Sequence, residues 1–263
     1  TSGSLTVSGI INISAGATFQ FGNNSSATFT VNASISGAGN TQCYSTSVIY
    51  SASCIYNITG YTSALNGTAT FTPGMTLTNI GNLNAAGGNI NLASGLTVGA
   101  YGPILNHTGG TLTLNTGITF NFQKYNIYGG TVTGSDSITV SDSLTLSTGF
   151  ITGTGAITLK QGSYMTVFNN NPTIDKSIVN NGTINWTLGS IFGNGTLYNN
   201  SVINMTANSF SCFMAMVNAG TINKSSNTVA QFSANFTNLS SGVLNVSAGT
   251  YMTAFGSGTW SLA

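Results

Sequence analysis

Charged side chains are nearly absent from this sequence of 263 residues. Only 3% of its residues are Asp, Glu, Lys or Arg, against about a quarter in ordinary soluble domains. The few that occur are four lysines and three aspartates, with no glutamate and no arginine. Because there is no basic patch, the sequence predicts no nucleic-acid partner. A surface this neutral needs another source of hydration to stay dispersed, and covalent glycans are the obvious candidate.

The scarcity of carboxylates also bears on stability in acid. Acid unfolding proceeds mainly by protonating carboxylates that are charged and paired in the native state. The chain has only three carboxylates, Asp136, Asp142 and Asp175, so protonation at low pH can remove few stabilising interactions. The sequence therefore suits an acidic environment outside the cell.

The same scarcity argues against catalysis. General acid–base chemistry needs titratable groups within reach of one another, and Asp136 and Asp142 are the only close pair of carboxylates. We interpret both as solvent-facing turn residues, and a carbohydrate-active β-helix enzyme with a cleft lined by this pair is the minor alternative. His107 lies within a sequon and is expected in an exposed loop, and neither it nor the cysteines have zinc-ligand spacing. We therefore predict no enzyme activity, no metal and no cofactor other than covalent N-glycans.

Long apolar runs are absent as well. No stretch approaches the length of a membrane span, and the first residues, Thr1 to Ser4, contain no basic region followed by an apolar core. We expect an extracellular protein at the cell surface whose signal peptide has already been removed.

Cysteine occurs three times. Cys43 and Cys54 bracket a loop that a disulfide could close, as would suit an oxidising compartment. A bridge across a loop of this size would contribute about 2 to 3 kcal/mol in the chain-entropy model. Cys212, within an apolar stretch, is expected to be a buried small residue rather than a reactive thiol.

The sequence does contain one short phrase four times. It reads NNGTINWT at 180–187, NNSVINMT at 199–206, NAGTINKS at 218–225 and SSGVLNVS at 240–247. The apolar residue that precedes the central asparagine recurs after 19, 19 and 22 residues. A strand presents alternate side chains to opposite faces, so Ile184 and Trp186 would point inward and Asn185 outward. In the third copy this alternation would bury Lys224, and we therefore expect that strand to end at Asn223.

A period near 20 residues, with a glycine-bounded strand in each copy, predicts a parallel β-solenoid, because only stacking of the copies closes a core. The triplets that begin at Leu96, Ile118, Ile138 and Ile157 continue the period over two thirds of the chain. About 13 coils of about 20 residues are expected in total. No segment has a helical period, and a β-sandwich with a donated strand is the alternative fold.

The domain organisation follows from this repeat. We expect residues 1–263 to form a single elongated β-solenoid domain. The repeat pattern is least regular near 37–80, where a disulfide-containing insertion is expected.

The repeated phrases resemble known surface proteins. GTLTL at 110–114, GTVTG at 130–134 and GTINW at 182–186 are similar to β-helical passenger domains of autotransporters and to adhesins of the filamentous-haemagglutinin type. The density of sequons and the lack of charge resemble the heavily glycosylated subunits of archaeal surface filaments. This resemblance covers repeats and composition, and it implies an extracellular, non-catalytic protein.

Sequons for N-glycosylation are abundant. The acceptor asparagines are Asn12, Asn23, Asn24, Asn32, Asn57, Asn66, Asn106, Asn181, Asn185, Asn194, Asn199, Asn204, Asn223, Asn235, Asn238 and Asn245. None lies between Asn106 and Asn181, and our hypothesis is that this bare stretch faces a neighbouring subunit. The alternative for the asparagines is an internal ladder of stacked amides. Because rungs about 4.8 Å apart would crowd the sugars, only a subset is expected to be modified.

The ends of the predicted solenoid show no polar cap. Apolar residues such as Leu5 and Ile11 open the chain, and Trp260 and Leu262 close it. We expect the ends either to stack head to tail on other copies or to exchange a strand, with residues 1–14 as the donated segment. The predicted function is a structural subunit of a self-assembling surface filament or sheath. The alternative is an adhesin that binds carbohydrate or a host surface.

Overall fold

The computed structural model describes residues 3–22, 27–168, 171–206, 210–225, 229–232, 234–254 and 260–262. Over these ranges the chain is all-β and forms a parallel β-solenoid of about 11 turns with a spacing of roughly 21 residues. The predicted fold class is confirmed, although the turns are slightly longer and fewer than expected. All strand pairs within these ranges are parallel, which excludes a sandwich of antiparallel sheets.

The chain divides into two compact units. Unit 1 comprises residues 1–118 and 129–136, and unit 2 comprises residues 119–128 and 137–263.

In unit 1 the first five turns each pass over three ladders of parallel strands, named faces A, B and C, and face A has two further strands. Face A consists of β1 (Ser4–Val7), β4 (Thr28–Val31), β7 (Ser47–Tyr50), β10 (Thr68–Phe71), β13 (Asn89–Leu92), β16 (Thr111–Leu114) and β18 (Thr131–Thr133). Face B consists of β2 (Ile10–Ile13), β5 (Ser34–Gly37), β8 (Ile55–Ile58), β11 (Thr76–Asn79) and β14 (Val98–Ala100). Face C consists of β3 (Thr18–Phe21), β6 (Asn40–Tyr44), β9 (Tyr61–Leu65), β12 (Asn82–Ala86) and β15 (Ile104–His107).

Unit 2 begins with two long paired strands, β17 (Thr119–Ile127) and β19 (Ser137–Leu146). The two halves of β19 then start two separate ladders. The first ladder continues through β21 (Ile157–Leu159), β24 (Ile178–Asn180), β26 (Thr196–Asn199), β29 (Ala215–Asn218), β32 (Phe236–Asn238) and β35 (Trp260–Leu262). The second ladder continues through β22 (Tyr164–Val167), β25 (Thr183–Trp186), β27 (Val202–Met205), β30 (Thr221–Lys224) and β33 (Val243–Val246). The remaining strands are β20 (Phe150–Ile151), β23 (Thr173–Ile174), β28 (Phe210–Cys212), β31 (Val229–Phe232) and β34 (Tyr251–Ala254).

The repeated phrase of the sequence marks one column of this second ladder. Ile184 pairs with Ile203, and Ile203 pairs with Ile222. The next partner in the column is Leu244. The predicted in-register stacking of these residues is therefore confirmed.

The earlier part of the repeat is offset from the expected alignment. Ile138 pairs with Ile157 as predicted, but its other partner is Phe120 rather than Ile118. β17 begins only at Thr119, so Ile118 lies in the preceding corner and is half-buried. An apolar residue at the right spacing thus fell just outside the strand.

Residues 37–80, the region of the expected insertion, form strands β6 to β11 and the end of β5. Val48, Ala69 and Ile90 are successive partners on face A, at intervals of 21 residues. All three side chains are buried.

The interior of unit 1 holds a cluster of aromatic rings. The Tyr50 ring stacks on Phe71 with centroids 4.4 Å apart, and both contact Tyr56 edge-on. The Tyr56 hydroxyl hydrogen-bonds the hydroxyls of Thr41 and Thr62. The Tyr56 hydroxyl is therefore paired by side chains from the neighbouring turns, whereas the Tyr50 hydroxyl is buried without a hydrogen-bond partner among the described residues.

In unit 2 the alternation of strand β30 runs one residue further than expected. Lys224 belongs to the strand, pairs with Met205 and Val246, and has a fully buried side chain. The backbone ladder continues past it, since the Ser225 amide donates to the Met205 carbonyl at 3.2 Å. Continued pairing preserves the alternation, so Lys224 points inward despite its charge. Burial lowers the pKa of its ammonium group.

Glycines form a column at the corner between faces C and A. Gly110 has a φ of 72°, and a Cβ there would lie 1.9 Å from the Gly88 carbonyl oxygen. A Cβ on Gly88 would lie 2.4 Å from the Gly67 carbonyl oxygen. Successive turns therefore approach so closely at this corner that only glycine fits.

Candidate functional site

The asparagines of the predicted sequons differ in accessibility. Asn23 and Asn24 lie outside the described residues. Seven are exposed: Asn12, Asn32, Asn57, Asn66, Asn194, Asn235 and Asn245. Five are half-buried: Asn106, Asn181, Asn185, Asn204 and Asn223. The remaining two, Asn199 and Asn238, are buried.

An outer ladder of amides runs along the second strand ladder of unit 2. The Asn204 Nδ2 donates to Asn185 Oδ1 at 3.1 Å, and the Asn223 Nδ2 donates to Asn204 Oδ1 at 3.0 Å. The Asn245 Nδ2 completes it by donating to Asn223 Oδ1 at 2.8 Å. Each of these asparagines lies in a sequon and points away from the core. A sugar can replace only the amide hydrogen that the ladder leaves unused.

A second, inner ladder lies on the first strand ladder of unit 2. The Nδ2 of Asn180 donates to Asn199 Oδ1, that of Asn199 to Asn218 Oδ1, and that of Asn218 to Asn238 Oδ1, each at 2.7 Å. Asn180, Asn199 and Asn218 are 0% exposed. At one end the Gly182 amide donates to Asn180 Oδ1 at 3.1 Å. At the other, Asn238 Nδ2 donates to the Gly242 carbonyl at 2.9 Å, so the buried amides are paired throughout.

The inner ladder corrects the glycosylation prediction at two positions. Asn199 and Asn238 are buried, and their amide groups are engaged with other turns, so a glycan has no room there. For these two the internal-ladder alternative is the right one. A signal was present in the sequence, because each follows an inward apolar residue by two positions, as Asn199 follows Leu197. The alternation rule therefore places both of them on the inner face.

The aspartates have separate surroundings. Asp136 is buried: its Oδ2 accepts hydrogen bonds from the backbone amide and hydroxyl of Thr116, and its Oδ1 accepts one from the Gly117 amide, all at 2.7 Å. It therefore closes a corner rather than facing solvent as expected. Asp142 lies on β19 and is exposed. Asp175 accepts hydrogen bonds from the backbone amide and side chain of Asn194.

His107 is the inward residue at the end of β15 rather than part of an exposed loop. Its side chain is fully buried, and neither ring nitrogen has a hydrogen-bond partner within the described ranges. The same column contains Ala64 and Ala85 on the preceding turns. Burial lowers the pKa of His107, opposed in smaller measure by the nearby backbones of Gly110 and Gly109. Its sequon neighbour Asn106 points the other way and is half-buried.

The cysteines are all buried and free. Cys43 is the inward residue of β6, and Cys54 lies in the corner before β8, with strand β7 between them. Both thiols are free rather than joined in the predicted disulfide, and the residues between them include strand β7. Burial raises the pKa of each thiol to about 12, including that of Cys212.

Two searches of the described residues gave no candidate. They contain no cluster of three or more His, Cys, Asp or Glu side chains that could hold a metal ion. Within the same residues, no helix is long and apolar enough to cross a membrane.

Comparison with known proteins does not place the chain in a family. No family model, no curated protein and no solved structure matches it.

Proposed function

We propose that the chain is a structural subunit of an extracellular, N-glycosylated cell-surface filament or sheath that assembles from copies of itself. The observation that carries the proposal is the unpaired edge of the first described turn. Within the described residues, β1, β2 and β3 each pair with one strand only. Their remaining backbone donors and acceptors form a template for a further parallel turn.

The side chains at this edge support the same proposal. Leu5 occupies the inward column of face A yet is 51% exposed, whereas Val48, two strands further along that column, is 0% exposed. Burying the exposed apolar surface of this turn would contribute about 25 cal/mol for each Å² removed from water. In the proposed filament, the turn that covers it comes from a second copy, by end-on stacking or by strand donation.

The proposed glycans supply the hydration that charge does not. Accessible sequon asparagines lie on both units, and the whole sequence carries only seven formal charges, four lysines and three aspartates. Sugars on the outward positions would keep such a surface soluble while the open edge stays apolar.

Assembly is tested by electron microscopy and sedimentation of the full chain and two variants. Leu5→Lys places a charge on the inward column of the open edge, and we expect it to abolish filaments. Ile10→Lys is the matched control, since Ile10 is 78% exposed on the outward side of β2 and its charge should leave filaments intact. Dispersed monomers of the unaltered chain at high concentration would contradict the proposal.

A peptide of residues 1–14 separates the two modes of assembly. Strand donation predicts that an excess of the peptide blocks filament growth, because it occupies the acceptor edge. End-on stacking of complete turns predicts no such block.

Glycosylation is tested by intact mass before and after glycan removal, followed by site mapping on protein from its natural source. We expect sugar at several exposed asparagines, Asn245 among them, and none at Asn199 or Asn238. An unshifted mass would remove glycosylation from the proposal. A glycan on Asn199 would contradict the inner ladder itself.

The adhesin alternative has some support in exposed aromatic side chains. Tyr251 is 62% exposed and Tyr198 is 41% exposed. Aromatic rings at a surface offer stacking partners for the apolar faces of sugars. Retention of the unglycosylated chain on a panel of immobilised glycans, lost on Tyr198→Ala, would favour this function over the structural one.

A further inference from the structure

Face A of unit 1 carries a repeated pair of outward threonines. Thr68 and Thr70 flank the buried Ala69 on β10, and the same Thr-x-Thr arrangement occurs on β4, β16 and β18. The intervening strands carry Ser47 with Ile49 on β7, and Asn89 with Asn91 on β13. We call the outward side chains of these six strands, β4 to β18 of face A, the threonine face. They form two parallel columns of short, uncharged side chains.

The hydroxyls in one column of the threonine face are available to a partner outside the protein. The side chains of its threonines are half-buried. In the part of the chain that the structure describes, the hydroxyls of Thr30, Thr70, Thr113 and Thr133 make no hydrogen bond to protein. In the other column Asn89 bridges two turns, donating to Thr68 Oγ1 at 3.3 Å and accepting from the Thr111 amide at 2.8 Å. The threonine hydroxyls of one column are thus unpaired, and in the other column Asn89 links the turns before and after it.

The array is regular in both directions. The pairings that build it, from Thr28 with Ser47 to Thr113 with Thr133, proceed residue by residue without a bulge. Neighbouring strands lie about 4.8 Å apart, and alternate residues of one strand about 6.6 Å apart. Face B, by contrast, has a register shift between Leu77 and Asn79. A regular grid of this kind matches a partner that is itself periodic in two dimensions.

The composition of the threonine face limits the kind of partner that it can bind. Its outward positions include no charged residue and no aromatic ring, so neither ion pairing nor stacking on sugars explains it. None of the exposed large apolar side chains lies on it, so a second copy would gain little from burial there. None of its asparagines begins a sequon, and the face stays bare when the accessible sequons elsewhere are glycosylated.

We infer that the threonine face binds ice. The oxygens of an ice surface repeat in two dimensions, as the hydroxyls of the grid do, and each threonine hydroxyl offers one donor and two acceptors, as a lattice water does in part. The methyl groups between them hold the first water layer without competing for its hydrogen bonds. Charges, which would orient water against the lattice, are missing. Each contact is weak, and binding results from many identical contacts on one rigid sheet.

The inference is tested by ice-recrystallisation inhibition and thermal hysteresis with the full chain. We expect the unaltered chain to slow the coarsening of ice crystals at micromolar concentration. The double variant Thr70→Lys with Thr113→Lys interrupts the grid at outward positions, and its activity should fall at least tenfold. Thr76→Lys is the matched control, because Thr76 is exposed on face B in the same turn as Thr70, and its activity should be unchanged.

Circular dichroism and the melting temperature of each variant show whether it is folded, so that a loss of activity reports on the surface. An unaltered chain no more active than albumin at equal mass would overturn the inference. Equal activity of the double variant would overturn the assignment to this face. Binding to crystalline cellulose or chitin without any effect on ice would replace ice by a polysaccharide surface.

Discussion

Asparagine has opposite roles at positions only five residues apart in one turn. Asn199 lies in the core, where its amide accepts from one turn and donates to the next. Asn204 makes the same type of bond on the outside, where water competes for it. A hydrogen bond contributes about 1 kcal/mol net in either place, but a buried group left without its partner costs about 1 to 3 kcal/mol. The difference between the two ladders is therefore expected to appear when a rung is removed.

Replacing Asn199 by Ala should destabilise the protein by about 2 to 5 kcal/mol, because it leaves a buried donor on Asn180 and a buried acceptor on Asn218. Asn204→Ala is the control and should cost less than about 1 kcal/mol. The midpoint of urea unfolding measures both. Equal shifts for the two variants would contradict the distinction between inner and outer ladders.

His107 gives the protein a specific sensitivity to acid. Its pKa is lowered in the folded state by burial, so folding favours the neutral ring. The stability contributed by this group is complete above the unfolded pKa of about 6.5 and is lost as the pH falls below that value. The loss can grow by at most about 1.4 kcal/mol per pH unit.

This loss is measurable because the chain has a single histidine and no glutamate. Between pH 7 and pH 5 the unfolding free energy should therefore decline in the unaltered chain. It should stay level in His107→Ala, which places there the residue of the two preceding turns, Ala64 and Ala85. A decline of equal slope in both proteins would assign the effect elsewhere.

At the scale of a single strand or corner, the limits of close approach are set by the backbone. Gly110 and Gly117 both have positive φ values, 72° and 86°. A Cβ on Gly110 would meet the Gly88 carbonyl oxygen at 1.9 Å, whereas a Cβ on Gly117 would meet nothing within 4 Å. A substitution at Gly117 therefore measures the free-energy cost of a positive φ alone, whereas one at Gly110 adds the cost of a steric clash with the backbone.

Gly117→Ala should cost about 1 to 2 kcal/mol, the usual penalty for a side chain in the left-handed region. Gly110→Ala should cost more than 3 kcal/mol or prevent folding, since a backbone oxygen cannot move aside without breaking the ladder. Soluble yield and urea midpoints compare the two. Similar values for both variants would show that the turns separate at this corner without penalty.

How far the sequence predicts an element depends on how many of its neighbours share its pattern. The column Ile184, Ile203 and Ile222 was predictable because apolar, Asn-bounded triplets recur at a nearly constant spacing. Ile118 was misaligned because corners vary by a residue or two, so an apolar residue in a corner mimics one in a strand. β6 to β11 gave little signal, since alternation there is carried by buried Thr and Ser as well as by aliphatic residues.

Some predictions for the candidate site residues were wrong for a related reason. The outward positions of Asn185 and Asn204 followed from alternation, but Asn199 and Asn238 were judged by their sequons alone. The burial of Lys224 and His107 went against side-chain preference, and the continued backbone ladder outweighed it. The positions of Cys43 and Cys54 depend on how the chain turns between them, which composition does not specify.

At the scale of the whole molecule, the thiols report on the opening of each unit. Cys43 and Cys54 belong to unit 1 and Cys212 to unit 2, and all are buried with the thiol pKa raised to about 12. The native chain should therefore react with no equivalents of a thiol reagent at pH 8, and the denatured chain with three.

The number of reactive thiols also shows whether Cys43 and Cys54 are oxidised to a disulfide. One equivalent in denaturant without a reductant would mean that Cys43 and Cys54 are bonded to each other in protein from the natural source. Labelling in stepwise denaturant, with peptide mapping, should show whether the two cysteines of unit 1 become reactive together.

Each interior rung of the buried amide ladder accepts from the rung before it and donates to the rung after it, and it also donates to a backbone carbonyl close by. Its bonding pattern is therefore the same however many rungs precede or follow it. A gene that gained or lost the 19 codons for residues 199–217 would encode a chain whose buried amides still all find partners. Duplication and deletion of single turns could then adjust the length of the protein in evolution without a compensating mutation in the core.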